Sequence, residues 1–199
     1  MFNYSVVSIL KSSRMLRNLN KCPSNEASQE FLVDTPIGKL ELTSCSLGLH
    51  KISIKDVHKN DYDLEKDVIL IRDNDEQEMK TIIMDAVEYL SGYFNNAESK
   101  LPKICWPSIC KKDSFTEKVL KALFEKTSYG DKLSYKELAT LCGNSQASRA
   151  VGTVMRRNQI PLIIPCHRVI KSDESLGNYS GGSGCNLKKW LLEHEAKFD

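Results

Sequence analysis

The chain has 199 residues, of which 41% are hydrophobic and 27% are charged, values typical of globular proteins rather than disordered or fibrous ones. Its longest aliphatic run, Val68 to Ile71, is far shorter than the roughly 20 apolar residues that cross a bilayer, so we expect a soluble protein without a membrane span. The net charge of +2 hides an asymmetry, because residues 26–110 hold 9 Lys and Arg against 16 Asp and Glu, whereas residues 111–199 hold 15 against 10. A basic surface for nucleic acid would therefore belong to the C-terminal half, although a solvated helical face gives the same count.

The N-terminal segment is basic and rich in serine. No acidic residue precedes Glu26, a composition shared by mitochondrial transit peptides and flexible basic tails. We interpret residues 1–30 as a flexible tail, and a targeting signal stays open. The seven cysteines are an odd number and follow no signal-peptide core, so we expect reduced thiols in an intracellular protein.

Alternating apolar and polar residues predict a small antiparallel sheet after this tail. A turn at residues 35–38 leads into a predicted strand at residues 39–43, and Gly48 separates that strand from a second one at residues 49–54. Apolar residues at helical spacing then predict a helix over residues 79–94.

Two prolines, Pro102 and Pro107, mark residues 101–112 as the boundary between two predicted domains. We predict an N-terminal α/β domain over residues 31–105 and a mostly helical C-terminal domain over residues 110–199. The predicted fold class is α/β in the broad sense and α+β in the strict one.

Two capping boxes predict where helices begin in the second domain, at Ser114 with Glu117 and at Ser134 with Glu137. An apolar stripe at helical spacing follows the first box and predicts a buried helical face. The stripe consists of Phe115, Val119, Leu120, Leu123 and Phe124.

The second box begins a predicted helix-turn-helix. Leu138 and Leu141 are expected to face inward, Gly143 supplies the turn, and a second helix is predicted over residues 145–157. Small residues on this second helix would let another backbone approach closely. They are Ala147, Ser148, Ala150 and Gly152. Helix pairs are also common in proteins that never contact DNA, so this motif alone leaves both interpretations open.

A polar triplet, Cys166, His167 and Arg168, follows an apolar run restrained by Pro161 and Pro165. A cysteine has a pKa of about 8.5 and would need a nearby imidazole, cation or helix N-terminus to be a thiolate near neutrality. His167 and Arg168 are the candidates for that role. Neighbouring side chains of an extended backbone point in opposite directions, so His167 would need a bend or a bridging water to reach the sulfur. The alternative is a buried, inert cysteine.

The C-terminal segment supplies a polar loop and a last helix. Residues 177–182 form a flexible loop whose hydroxyl groups and backbone amides suit a small polar pocket. Asn186 is expected to cap a helix over residues 187–197. Glu195 either orients a histidine, as carboxylates behind imidazoles do, or is a solvated helix end.

Together these residues resemble the O6-alkylguanine-DNA alkyltransferases of the animal type, also called methylated-DNA–protein-cysteine methyltransferases. The segment Ile164-Pro-Cys-His-Arg-Val169 is similar to the active-site motif of that family, and the similarity extends over residues 114–195, with a weaker match at residues 35–50. The other matching segments are Ser134-Tyr135, Gly143-Asn144, Arg149-Ala-Val-Gly152, Met155-Arg156, Asn158, Asn178-Tyr-Ser-Gly-Gly182 and Trp190-Leu-Leu192.

The resemblance implies a nucleophile with activating groups. Cys166 would be the nucleophile, and His167 would activate it through a water molecule with Glu195 behind the imidazole. Asn158 would steady the active-site turn, and Tyr135 would donate a proton to the departing guanine. The alkyl group, such as the methyl of O6-methylguanine, would move irreversibly to the sulfur in a single turnover, and no cofactor would be required.

The resemblance also implies a partner, double-stranded DNA that carries O6-alkylguanine. The second helix would lie in the minor groove while the damaged nucleotide is extruded, with Arg149 filling the vacated stack and Tyr135 assisting. Ser180 and Tyr179 would bind the O6 side of the base. The remaining residues of the implied DNA surface are Ala147, Ser148, Gly152 and Arg156. We expect a monomer acting in the nucleus, with mitochondrial import through the basic tail as a second location.

The chain departs from the family pattern on the implied DNA surface. Thr153 stands where animal members commonly have a second glycine, and Arg157 stands where they have a glycine before Asn158. Groove fit or the tolerated size of the adduct would change with these residues.

The zinc ligands of the animal members are matched only in part. Those members hold a structural zinc through two cysteines and two histidines, and Cys45 and His50 match this set, with Cys22 as a third candidate. The last histidine falls near Trp106, where a neighbouring cysteine, Cys105 or Cys110, would have to substitute. No metal ligand is therefore assigned from the sequence.

Three other classes of protein fit these residues less well. A non-catalytic relative that binds alkylated guanine and recruits repair factors commonly has Trp in place of the active cysteine, so Cys166 argues against it. A helix-turn-helix transcription regulator would need long polar side chains on its second helix, which the small residues disfavour. A cysteine hydrolase would need an oxyanion hole, which no segment demands.

Overall fold

A computed structural model describes residues 22, 28–57, 62–63, 65–72, 77–177, 179 and 185–197. Most of the predicted basic tail lies outside these residues. Among the described helices, none is long and apolar enough to cross a membrane.

Four antiparallel strands form the N-terminal sheet, as the predicted fold class requires. They are β1 (Gln29–Thr35), β2 (Gly38–Cys45), β3 (Gly48–Val57) and β4 (Ile69–Arg72), in the spatial order β3-β2-β1-β4. The predicted strand pair corresponds to β2 and β3, whereas β1 and β4 were not predicted from the sequence.

The inner face of the sheet packs on one long helix, α1 (Gln77–Asn95). Side chains of β1 and β2 alternate between buried and half-exposed or exposed, so every second residue enters the core. Phe31, Val33, Leu40 and Leu42 are at most 1% exposed. They form a core with apolar residues of α1 such as Leu90, and the sheet thereby fixes the position of α1.

The C-terminal part is mostly helical. Its helices are α2 (Trp106–Ile109), α3 (Phe115–Lys126), α4 (Tyr135–Leu141), α5 (Ser148–Arg156) and α6 (Cys185–Glu195). Two short strands, β5 (Leu133–Ser134) and β6 (Val169–Ile170), pair in parallel. This pairing brings the start of α4 beside the segment that follows Cys166.

The capping predictions hold in part. At α4, the Ser134 hydroxyl accepts from the Glu137 amide at 3.1 Å and the Glu137 carboxylate accepts from the Ser134 amide at 2.6 Å, so the box is complete. At α3 only one of the two hydrogen bonds of the capping box forms, in which the Ser114 hydroxyl accepts from the Glu117 amide. The Glu117 carboxylate instead accepts from the amide of Asp113 at 2.6 Å.

Two local predictions are wrong. Leu141 is 53% exposed, because α4 ends at this residue and its buried positions are taken by Leu138 and Ala139. Asn186 lies inside α6, which begins at Cys185 rather than at residue 187, so it cannot be the residue that precedes the helix.

Edge strand β3 joins the sheet to the rest of the chain. The Leu49 amide donates to the Lys103 carbonyl at 2.8 Å, and the Leu49 carbonyl accepts from Cys105 at 3.0 Å. Further along β3, the Ile52 amide donates to the Gln159 carbonyl at 2.8 Å. A side chain at Gly48 would lie 2.7 Å from the backbone of residues 103–105, so this close approach requires glycine.

Candidate active site

Asn158 holds the loop that leads to Cys166. Its side-chain amide donates to the Ile164 carbonyl at 2.8 Å, and its side-chain oxygen accepts from the Ile160 amide at 3.1 Å. Leu162, at the centre of this loop, has a φ of 73°, a conformation that costs a non-glycine residue energy. Asn158 therefore bridges both ends of a turn whose backbone would not otherwise be favoured.

Cys166 begins a single turn of 3-10 helix over Cys166–Arg168, and it is 7% exposed. Burial raises the pKa of the Cys166 thiol, and this effect exceeds the opposing influence of Asn158, Lys188 and Tyr179. The downward shift that a resting thiolate would need is therefore not found, because the sulfur lies in a poorly solvated environment where the thiolate is disfavoured. The resting Cys166 side chain is a neutral thiol.

His167 and Glu195 form a buried pair. His167 Nε2 and Glu195 Oε1 are 2.6 Å apart, and both side chains are fully buried. Burial lowers the pKa of His167, so its imidazole is neutral near neutral pH. His167 Nδ1 is also buried and has no hydrogen-bond partner among the described residues. The turn at Cys166 supplies the bend that an extended backbone would lack.

The Glu195 carboxylate accepts hydrogen bonds from several directions. Arg168 donates from Nε at 2.8 Å and from Nη2 at 3.1 Å, the Gly130 amide donates at 3.1 Å, and the Tyr93 hydroxyl donates at 2.9 Å. Burial opposes ionisation, but the contacts with His167 and Arg168 outweigh it and hold the pKa of Glu195 at about 2. The alternative of a solvated helix end is thus excluded for this residue.

Tyr135 lies between two glycines and near Cys166. Its ring is 3.8 Å from where a side chain on Gly152 would begin, and its hydroxyl is 3.4 Å from the corresponding point on Gly177. Burial and the nearby Cys166 raise the pKa of Tyr135. Its hydroxyl therefore keeps its proton and can act as a donor.

Of the two residues predicted to bind the O6 side of the base, the structure describes Tyr179 only. Tyr179 is 5% exposed, and burial together with the neighbouring Cys166 raises its pKa well above the usual value. Ser180 lies outside the described residues, as does Asn178.

Lys188, a buried residue that influences Cys166, was missed by the sequence analysis. It is fully buried on α6, and its Nζ donates to the carbonyls of Val169 at 2.6 Å and Leu176 at 2.5 Å. The sequence did contain a signal for its burial, because helical spacing puts Lys188 on the same face as Leu191, Leu192 and Glu195, which are all buried. Its positive charge is one of the influences that favour a Cys166 thiolate.

The outer face of α5 is solvent-exposed and basic. Arg149 and Arg156 are exposed, and Ala147 and Ser148, at the start of the helix, are half-buried. The helix covers Ser148–Arg156, shorter than predicted, and the turn before it contains Gly143 at a φ of 82°. Two positive charges and small side chains thus lie at one accessible surface.

Thr153 and Arg157, the two departures from the family pattern, are both accommodated by α5. The Thr153 hydroxyl donates to the Arg149 carbonyl at 3.2 Å within the helix, so its polar group is satisfied without a new contact. Arg157 is exposed and ends α5. Neither residue disturbs the helix.

A second cluster of chemical groups lies at the sheet. Cys22, Cys45, His50 and Cys105 present ligand atoms that all lie within 4.8 Å of one another. Cys45 Sγ is 3.9 Å from the sulfur atoms of both Cys22 and Cys105, and Cys22 Sγ is 3.1 Å from His50 Nε2. Cys105, rather than Cys110, therefore joins the partial set found in the sequence.

The comparisons with known proteins agree with this geometry. A family model described as the DNA binding domain of 6-O-methylguanine DNA methyltransferase matches residues 114–197. The methylated-DNA–protein-cysteine methyltransferase of Rattus norvegicus is 38% identical over 169 residues, which cover 82% of this chain and 80% of the relative. The chain belongs to this family.

Further relatives of the methyltransferase family support the assignment. The human methylated-DNA–protein-cysteine methyltransferase is 38% identical over 169 residues, covering 82% of this chain and 78% of the relative. The crystal structure of Mycobacterium tuberculosis OGT in complex with DNA matches with a TM-score of 0.63 and 29% identity, over 83% of this chain and 91% of that chain. The family resemblance and the α+β fold class predicted from the sequence are thereby confirmed.

Proposed function

We propose that this methyltransferase repairs O6-alkylguanine in double-stranded DNA by moving the alkyl group onto its own Cys166. The buried thiol, which is followed directly by a histidine bonded to a buried carboxylate, is the observation that carries the proposal. The transferred alkyl group is one such as the methyl of O6-methylguanine, and the protein is consumed after one event, because a thioether is not reversed by ordinary thiol chemistry.

The reaction is one displacement with balanced proton transfers. As the Cys166 sulfur attacks the alkyl carbon, its proton passes through a bridging water to Nδ1 of His167, and the bond from carbon to O6 breaks. The bonding electron pair moves into guanine, which takes a proton from the Tyr135 hydroxyl. Glu195 stabilises the imidazolium that forms. Since the resting thiol is neutral, the proton transfer to His167 supplies the thiolate at the moment of reaction.

The DNA contact is proposed for the basic face of α5. Arg149 enters the base stack in place of the extruded nucleotide, Arg156 faces a phosphate, and the small residues Ala147, Ser148 and Gly152 permit a close approach of the helix to the minor groove. Extrusion is needed because the alkyl carbon cannot reach a buried thiol from within the duplex. The Tyr179 hydroxyl, together with Ser180, binds the O6 side of the extruded base.

The direct test is the mass of the intact protein after mixing with an oligonucleotide duplex that contains one O6-methylguanine. We expect one added methyl group per chain, mapped by peptide analysis to Cys166, and no added mass with the same duplex containing unmodified guanine. A folded protein that binds the lesion duplex without gaining mass would instead indicate a non-catalytic recruitment protein.

The transfer rate should depend on pH through His167. The folded protein holds the pKa of His167 below its ordinary value of 6.5 because the ring is buried, so the base stays neutral at pH 6.5 and above. We expect the single-turnover rate to be nearly constant from about pH 8 down to about pH 6.5 and to fall at lower pH. Quenched time courses at each pH provide the measurement. A rate that rises about tenfold per pH unit through pH 7 to 8 would show that a preformed thiolate reacts instead.

We also propose that the cysteine and histidine cluster holds a structural zinc ion. Two thiolates bound to one tetrahedral zinc lie about 3.8 Å apart, and the sulfur separations of 3.9 Å at Cys45 match that value. Cys22, Cys45, His50 and Cys105 would each supply one ligand atom, and the ion would supply no chemistry to the transfer. It would tie the segment before β1 and the segment before α2 to the sheet.

Zinc binding is tested by measuring the metal content of the purified protein. Wild-type protein and a Cys110→Ser control should contain about one zinc per chain, and Cys105→Ser should contain much less. Removal of the ion by a chelator should lower the Tm of wild-type protein by about 5 °C or more. Cobalt substitution should give thiolate-to-metal charge-transfer absorption in wild type, weaker in Cys105→Ser. Wild-type protein without stoichiometric metal after expression in zinc-supplemented medium would contradict the proposal.

We further propose that the protein acts as a monomer in the nucleus, where its DNA substrate lies. Import into mitochondria through residues 1–30 is the second location to examine, because this segment has a transit-peptide composition. Imaging the full chain, with and without those residues, distinguishes the two compartments.

A further inference from the structure

Tyr93 places a hydroxyl group from the sheet side of the molecule in the active site. The residue lies near the end of α1, is 4% exposed, and donates a hydrogen bond to Glu195 Oε1 at 2.9 Å. The same hydroxyl is 3.4 Å from His167 Nε2, and the two rings meet edge to face with centroids 6.2 Å apart. The proposed chemistry above assigns this residue no role.

The hydrogen bonds at Glu195 Oε1 decide which nitrogen of His167 carries the proton. An ionised carboxylate oxygen can only accept, and Oε1 faces Tyr93, Arg168 and His167. His167 Nε2 must therefore donate, which leaves Nδ1 with the lone pair that can take a proton. A carboxylate that rotated away from this position would leave the imidazole free to adopt the other tautomer.

The backbone of Tyr93 is itself held by the C-terminal part of the chain. Its carbonyl accepts from the Tyr129 hydroxyl at 3.3 Å and lies 3.2 Å from His194 Nε2. The ring of His194 stacks on Trp190 with an interplanar angle of 2°. Tyr129 directly precedes Gly130, whose amide donates to Glu195, and His194 directly precedes Glu195 on α6, so the Tyr93 hydroxyl is fixed relative to the carboxylate.

We propose that Tyr93 is a positioning residue for alkyl transfer, which holds the Glu195 carboxylate and thereby keeps Nδ1 of His167 available to the Cys166 thiol. This inference rests on the proposed function for its effect on transfer. It assigns the sheet-bearing part of the chain a contribution to reactivity, in addition to its contribution to folding.

The test compares Tyr93→Phe with Tyr62→Phe. Tyr93→Phe keeps the ring and removes only the hydroxyl, while Arg168 and the Gly130 amide still hold the carboxylate. Tyr62 is a half-buried tyrosine whose ring contacts Trp190 at 4.8 Å, so Tyr62→Phe is a matched loss of one hydroxyl away from Glu195. We expect Tyr93→Phe to lower the single-turnover rate at saturating lesion duplex about 10-fold. The affinity for that duplex should be unchanged, and Tyr62→Phe should behave as wild type.

A second readout does not require the DNA reaction. The pH dependence of Cys166 modification by iodoacetamide, followed by peptide mass analysis, reports how well His167 accepts the thiol proton. We expect the inflection of this profile to shift in Tyr93→Phe and to stay in place in Tyr62→Phe.

The outcomes separate this inference from the proposed function. Wild-type protein without methyl transfer would overturn the proposed function, and the iodoacetamide profiles would still decide the role of Tyr93. A Tyr93→Phe variant with the wild-type rate and the wild-type profile would overturn the positioning role. Equal rate losses in both tyrosine variants, accompanied by equal losses of Tm, would also overturn it, since they indicate a structural effect alone.

Discussion

A Cys166→Ala variant is expected to lose methyl transfer completely while it retains binding of the lesion duplex. Alanine offers no nucleophile, and among the cysteines whose side chains the structure describes no other thiol shares the buried surroundings of Cys166. Cys22, Cys45 and Cys105 lie at the sheet cluster, and Cys110 and Cys142 are half-buried elsewhere. The loss of one sulfur atom leaves only a small cavity, so the fold should persist with a Tm within a few degrees of wild type.

The measurement combines intact-protein mass with lesion-duplex affinity. Cys142→Ala is the matched control, because it removes a half-buried thiol from the same part of the chain and should transfer methyl at the wild-type rate. A Cys166→Ala protein that still gains one methyl group would show that another residue is the acceptor.

A Glu195→Gln variant should combine a slow reaction with a large loss of stability. The amide group cannot accept all the hydrogen bonds that the carboxylate receives, and it leaves the guanidinium of Arg168, which is 5% exposed, as a buried charge without its partner. We expect the free energy of unfolding to fall by about 3–5 kcal/mol. The transfer rate should fall by about 100-fold or more, because His167 would no longer be held in the reactive tautomer.

Stability in acid provides a second signature of Glu195. Its pKa is about 2 in the folded protein, below the ordinary value of 4.5, so its contribution to stability is present above pH 4.5 and is lost as pH falls toward 2. Urea unfolding between about pH 2 and 7 should show this loss in wild type and not in Glu195→Gln. Glu193→Gln is the control, since the Glu193 side chain is 60% exposed and lies 3.7 Å from Lys189.

If Glu195→Gln does not fold, a double variant can still test the role of Glu195 in transfer. Replacing both partners, as in Glu195→Gln with Arg168→Met, removes the uncompensated charge and should recover much of the lost stability. The transfer rate should nevertheless stay low in the double variant. A double variant with wild-type transfer would show that Glu195 has only a structural role.

The sequence predicted the fold where local patterns are strong. Alternation in residues 39–43 and 49–54 led to β2 and β3, and helical spacing led to α1 and α3. It missed β1, whose first two residues fall inside the predicted tail, and β4, whose aliphatic residues Ile69 and Ile71 remain exposed at the sheet edge. An edge strand of four residues has too little alternation to be distinguished from a loop.

The active-site chemistry was predictable only in part. The Cys-His dipeptide and the family resemblance led to Cys166, His167 and Glu195, but no sequence pattern joins Tyr93 to Glu195 across 102 residues. Tyr93 has the spacing of an ordinary core residue of an amphipathic helix, so its hydroxyl contact is visible only in three dimensions. The direction of the Cys166 pKa shift was also hidden, because it depends on burial rather than on neighbouring residues in the chain.

The hydrogen bond from the Ile52 amide to the Gln159 carbonyl limits how modular this protein can be. The segment that the family model recognises, residues 114–197, contains Cys166. The loop that ends at Cys166 nevertheless begins beside the Gln159 carbonyl, which accepts its hydrogen bond from edge strand β3. Excision of that segment would leave this carbonyl without its partner and expose the apolar surfaces that the sheet and α1 cover. The part of the chain that must be kept intact is therefore larger than the segment that the family model matches, and we expect fusions or rearrangements that separate the two parts to destabilise the protein.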